Sequence, residues 1–170
     1  MLWPLNSIKS MRLIKPGLVT VFCICILVVT CTPKKINDSL EDYIGGKLVE
    51  KVNMEQLNTV MVIPNAGCNG CISDAEMFVS NNAFVLKDQL FTIFTDVMSE
   101  KNLRLRIGKE IVESSYAFVD SKIQIQHAEL VSIYPSILYI NKGRVERVVH
   151  ISPDNPNALN ELRGYYDISL

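Results

Sequence analysis

The stretch that most constrains this chain is VMVIPNAGCNGCI, residues 60–72. An unbroken apolar run from Val60 to Ile63 stops at Pro64, and Cys68 and Cys71 follow three positions apart. Val, Met, Val and Ile in succession, without polar alternation, predict a strand over Thr59–Ile63 that is buried on both faces. The composition of PNAGCNGC is that of a turn. From Cys71 onward Ile72, Ala75, Phe78 and Val79 recur at helical spacing, and the pattern closes at Asn81-Asn82. The order is therefore strand, tight turn with CxxC, helix. Two thiols so placed are a redox pair, half of a metal site or a static bridge.

Which of these holds depends on the compartment. Residues 18–30, LVTVFCICILVVT, are almost entirely apolar, and the charges before them, Lys9, Arg12 and Lys15, are all positive. That is the charge order of a secretory signal. A run of about 13 residues falls short of the roughly 20 that cross a bilayer as a stable helix, and it fits a signal core. Met11 is an alternative start, because MRLIKPGLV is the more ordinary charged leader. Cys31, directly after LVVT, resembles the lipobox cysteine of bacterial lipoproteins, with Thr30 where Gly, Ala or Ser is more usual. The resemblance implies that residues 1–30 are a cleaved signal peptide and that Cys31 is diacylated, which holds the chain on a membrane facing the periplasm. Thr32 is not acidic, and in the sorting pattern of that family this points to the outer membrane. An uncleaved membrane anchor is the alternative, and it leaves the domain on the same side.

Removal of residues 1–30 leaves 140 residues, enough for one domain with its own core and too few for two. The remaining balance is 14 basic against 18 acidic residues. Nucleic-acid binding needs the opposite, a basic footprint, so no nucleic-acid partner is expected. Of the five cysteines, Cys23 and Cys25 leave with the signal and Cys31 is taken by lipid. Cys68 and Cys71 are then left to pair with each other or with a partner protein in an oxidising compartment.

Residues 31–54 read as a polar tether, TPKKINDS, and an extension, LEDYIGGKLVEKV, that holds a turn of helix interrupted at Gly45-Gly46. The domain proper is expected over 55–170. Its second strand falls at Leu90–Val97, rich in β-branched and aromatic residues. SEKNLRLRIGKE is charged and reads as a short helix or irregular connection with a solvated basic face. SYAFVD, residues 115–120, is a third strand candidate, followed by the polar linker SKIQIQHAE. YPSILYI and GRVERVVHI are apolar runs joined by NKG, the pattern of an antiparallel hairpin. Pro156 suits a first helical turn, and Leu159, Leu162 and Tyr166 fall near one face of a last helix.

This layout resembles the thioredoxin family over roughly residues 55–168. The residues that carry the likeness are the strand, the CNGC turn and its helix, and Tyr134-Pro135 placed before the hairpin and the last helix. A membrane-tethered start is also common among bacterial members. The resemblance implies a three-layer α/β/α fold around a central mixed sheet, and a cis-proline at Pro135 facing the CxxC. It further implies that Tyr134 and Pro135 offer backbone on which an extended substrate pairs. The sequence departs from the family in three places. Gly67 stands where an aromatic precedes the first cysteine, Asn69-Gly70 lacks the common proline, and Thr59–Ile63 holds no acidic residue. Gly67 and Gly70 either leave room for a bulky protein substrate or simply satisfy turn geometry.

A helix N-terminus leaves backbone N–H groups unpaired and carries about half a positive charge, so it favours thiolate over thiol. Cys68, at the exposed end of the turn, is the expected nucleophile, with a pKa below the usual thiol value. Cys71 is the expected resolving thiol. A zinc site needs about four ligands, and beyond the pair only His127 and His150, 23 positions apart, and carboxylates remain. Neither metal nor cofactor is expected. A static bridge in so short a loop constrains the unfolded chain little. Two function classes follow: a lipid-anchored protein exchanging dithiol and disulfide with envelope proteins, or a non-catalytic thioredoxin-like interaction module whose cysteines form a structural bridge.

Overall fold

The computed structural model describes residues 55–121 and 132–168. The expected signal segment 1–30, Cys31, the expected tether and extension 31–54, His127 and most of the linker after Asp120 lie outside the described residues. Within them, five strands form one mixed sheet and four helices pack on it. The elements in chain order are β1 (Thr59–Pro64), α1 (Asn69–Asn82), β2 (Leu90–Thr95), α2 (Glu100–Ile107) and α3 (Lys109–Val112). They continue with β3 (Ala117–Asp120), β4 (Ser136–Asn141), β5 (Arg144–His150) and α4 (Ala158–Tyr165).

The sheet order is β3-β2-β1-β4-β5. β1 runs parallel to β2, from Thr59 beside Leu90 to Pro64 beside Thr95, and β2 runs parallel to β3. β4 is antiparallel to β1 and to β5. The strand before the cysteines is thus the central one, which explains its lack of polar alternation: all six residues of β1 are buried. The fold is α/β with a central mixed sheet, as expected.

Side chains alternate across the sheet with period two. Met61, Ile63, Leu90, Phe94, Ala117, Ile137 and Tyr139 face one side, where they meet Ile72, Ala75, Phe78 and Val79 of α1. Leu103 and Ile107 of α2, Ile111 and Val112 of α3, and Leu159 and Leu162 of α4 join the same cluster. Val60, Val62, Phe91, Ile93, Leu138, Ile140 and Val145 face the other side and form a second buried cluster with Leu57. Each such aliphatic or aromatic side chain contributes roughly 1.5–3 kcal/mol by leaving water. Phe78, in α1 and almost fully buried, is an anchor whose truncation to alanine should cost about 3–5 kcal/mol.

Local chemistry sets the element ends. The hairpin between β4 and β5 turns at Lys142 and Gly143, both at positive φ (51° and 75°), the geometry of a two-residue turn that matches strand twist. α2 starts at Ser99, whose hydroxyl accepts from Asn102 N–H, and stops at Gly108 with φ 96°. Its basic face is not simply solvated as the sequence suggests, because Arg106 reaches across to Glu76 of α1. β2 ends at Thr95, short of Val97, with Asp96 at φ 55°. Pro156 lies ahead of the last helix rather than in its first turn, since α4 begins at Ala158.

Candidate functional site

β1, β2 and β3 all end at one edge of the sheet, and β4 begins there, so the loops 65–68, 96–99 and 132–135 share that edge. In open α/β sheets ligand and catalytic groups gather outside the carboxyl ends of the strands. Cys68 and Cys71 occupy this edge and are joined as a disulfide with 5.3 Å between their Cα atoms. The pairing is local because Cys68 is the N-cap residue of α1, extended at φ −71° and ψ 96°, while Cys71 is one turn inside the helix. Cys68 is half-buried and Cys71 buried, so the sulfur on the solvent side is that of Cys68.

The N-cap position has no side-chain hydrogen bond. Ser, Thr, Asp or Asn usually fills it and satisfies an orphan N–H of the first turn. A reduced Cys68 would hold its sulfur at that place, at the positive end of the helix dipole.

The loop before β4 closes over the turn. Cys68 N–H donates to the carbonyl of Ile133 at 3.0 Å. Tyr134 N–H donates to Ser132 Oγ at 3.0 Å, and Pro135 C=O accepts from Ile151 N–H at 2.8 Å. Beside them Ser136 Oγ and His150 Nδ1 are 2.9 Å apart. The loop is thus fastened to the cysteine turn on one side and to β5 on the other. Tyr134 is half-buried, Pro135 is buried, and Ile133 stands out at 60% exposure. The expected cis bond is not found: the Tyr134–Pro135 peptide is trans. Ile133, two residues before the proline, supplies the carbonyl that accepts from Cys68 N–H.

Gly67 is explained by geometry. Its φ is 143°, and a Cβ built there would run into the Ile133 backbone, 2.8 Å from its carbonyl carbon and 2.9 Å from its Cα. No L side chain fits, so an aromatic residue has no room at this position. Gly70, by contrast, has nothing within 4 Å of such a Cβ.

One polar cluster near this edge escaped the sequence reading. Arg106 donates to both carboxylate oxygens of Glu76, at 2.9 to 3.2 Å, and to Asn65 Oδ1 at 3.3 Å. Glu76 is buried although it carries charge, and the bidentate guanidinium is what makes that tolerable. The pair joins residues 30 positions apart, so no local pattern could reveal it. Asp120, also buried, ends β3 at the same edge.

Among the described residues no three His, Cys, Asp or Glu side chains converge as a metal site. No described helix is long and apolar enough to cross a membrane. No family model matches this chain, and neither does any curated protein or solved structure.

Proposed function

We propose that this is a thioredoxin-like thiol–disulfide exchange protein, lipid-anchored through Cys31 and acting on envelope proteins through Cys68 and Cys71. The observation that carries the reading is the disulfide at the N-terminus of α1, on the carboxyl end of the central strand. The antiparallel hairpin and last helix that complete the sheet add support. The chemistry is two successive exchanges. In the reducing direction, Cys68 thiolate attacks a client disulfide, forming a mixed disulfide and releasing one client thiolate. Cys71, having given its proton to solvent, attacks Cys68 Sγ, which restores the protein disulfide and frees the second client thiolate. Two electrons pass to the client, and two protons follow them. The oxidising direction is the same sequence reversed, with a client thiolate attacking Cys68.

The test is equilibration of the mature chain across glutathione redox buffers, with trapping by a thiol-specific mass tag. A reversible two-electron transition is expected. Cys68→Ser should abolish turnover of a disulfide substrate, and turnover that survives it would sink the nucleophile assignment.

A second reading has one observation in its favour. The Ile133 carbonyl, next to the Tyr134-Pro135 backbone on which a client is expected to pair, is already occupied by Cys68 N–H. This suits a static bridge in a non-catalytic interaction module, and a pair that stays oxidised in every buffer would establish it.

A further inference from the structure

The cysteine turn runs from Asn65, the first residue after β1, to Cys68, the N-cap residue of α1. Arg106, near the end of α2, is bonded on both sides of it. Its Nε donates to both carboxylate oxygens of Glu76 at 3.2 Å, and its Nη2 donates to Glu76 Oε1 at 2.9 Å. The same Nη2 donates to Asn65 Oδ1 at 3.3 Å. An NH2 group has two hydrogens, so Nη2 serves both acceptors at once, and the flat fork of the guanidinium fixes the angle between them. Glu76 is buried and lies on the helix that carries Cys71. A ring therefore closes through Asn65, the turn, α1, Glu76 and Arg106.

We propose that Arg106 is a positioning residue for the cysteine pair, acting through Asn65 and Glu76 to hold Cys68 within reach of Cys71 when the disulfide is open. The proposal rests on the exchange reading and names the device that tunes it. While the disulfide is closed, the sulfurs themselves tie the turn to the helix. Reduction removes that tie, and no side-chain hydrogen bond caps the helix in its place. The ring through Arg106 then holds the turn against α1, with the bond from Cys68 N–H to Ile133 on the far side. A preorganised pair loses less freedom when its sulfurs join, so it closes faster and lies further toward the disulfide. The step affected is the second exchange, in which Cys71 thiolate attacks Cys68 Sγ and the client sulfur leaves as thiolate.

A guanidinium can also act through charge alone, by favouring a thiolate at a distance. Two substitutions separate charge from position. Arg106→Lys keeps the charge and loses the fork. Asn65→Ala leaves the Arg106–Glu76 pair and the net charge intact and cuts the ring at its weakest bond.

The test equilibrates the mature chain and its variants with reduced and oxidised glutathione, reading dithiol, disulfide and glutathione mixed disulfide by thiol tagging and intact mass. Asn65→Ala and Arg106→Lys should each lower the equilibrium constant for disulfide formation about two- to tenfold, the worth of one such hydrogen bond. Both should raise the share of mixed disulfide. The double variant should fall no further than the larger single one, because both changes cut the same link. Denaturant curves of the two redox forms add a check: the oxidised form should lose more stability than the reduced form, by the same factor. The proposal is overturned if both variants keep the parent's equilibrium constant, whatever happens to their stability, or if the two effects multiply. It is equally overturned if Arg106→Lys matches the parent while Arg106→Gln falls, since charge would then be the cause. A parent disulfide that glutathione never opens counts against the exchange reading instead. The same variants compared in dithiothreitol buffers then decide the role of Arg106 by the same shift or its absence.

Discussion

Cys68 and Ile133 are joined through their backbones, N–H to carbonyl at 3.0 Å, and Gly67 is the residue that lets them meet. A Cβ at position 67 would collide with the same Ile133 peptide. The cysteine turn and the loop before β4 therefore form one packed unit, and the adjacent glycines have different jobs.

Gly67→Ala should destabilise the fold by about 2 kcal/mol or more, from the positive φ and the clash together. Gly70→Ala, inside α1 with open space around it, should stabilise by about 0.5–1 kcal/mol. Paired denaturant curves check both, and similar shifts of the same sign would show that turn geometry does not govern Gly67.

Arg106→Ala removes the guanidinium from buried Glu76 and should cost about 1–2 kcal/mol, because the pair is only partly shielded from water. Glu76→Gln in the same background should recover part of the loss, since a neutral amide is cheaper to bury than an unpaired carboxylate. A thermal melt of the two variants against the parent reads this directly.

Tyr166 has its phenol pushed well above the usual range, first by burial, opposed by its hydrogen bond with Thr59. The folded state therefore holds its proton more tightly than the unfolded chain, and stability depends on that proton. Its contribution is complete below the unfolded tyrosine value of about 10 and drains away as pH rises beyond it. Stability measured from pH 8 to 11 should fall at the alkaline end, with a shallower fall in Tyr166→Phe. The variant should also lose about 1 kcal/mol at neutral pH with the Thr59 bond of 2.7 Å.

Tyr139 presents the converse case. Its hydroxyl is buried without a well-directed hydrogen bond among the described residues, because the nearby Arg147 guanidinium stacks over the ring at 4.2 Å instead. Tyr139→Phe keeps the ring and removes the unsatisfied oxygen, so it should be neutral or stabilising by up to about 1 kcal/mol. A clear loss in chemical denaturation would mean that the oxygen has a bond after all.

Much of the sheet was legible in the sequence because its signals are local. The apolar run of β1 announced a strand buried twice over, and NKG announced the hairpin that Lys142 and Gly143 make. The helix after CxxC showed its buried stripe at Ile72, Ala75, Phe78 and Val79. α2 was hard to read because only Leu103 and Ile107 anchor it, while Leu105, equally apolar, is exposed. What sequence could not give was contact across distance. The approach of Ile133 to Gly67 and the reach of Arg106 to Glu76 depend on the sheet bringing separate loops to one edge. The trans bond before Pro135 leaves no trace in composition.

The sheet order carries a consequence for encounter. β1 sits in the middle, flanked by β2 and β4, and the outer strands are β3 and β5. A visiting polypeptide that extends the sheet would add to a flank, one or two strand widths away from the sulfurs. Under the proposed exchange reaction, approach to Cys68 would instead come end-on, against the rim formed by the loops, where Ile133 and Met98 project at 60% and 90% exposure. Visitors would then be sorted by the shape and greasiness of a small rim, and by how far a thiol protrudes from its own surface.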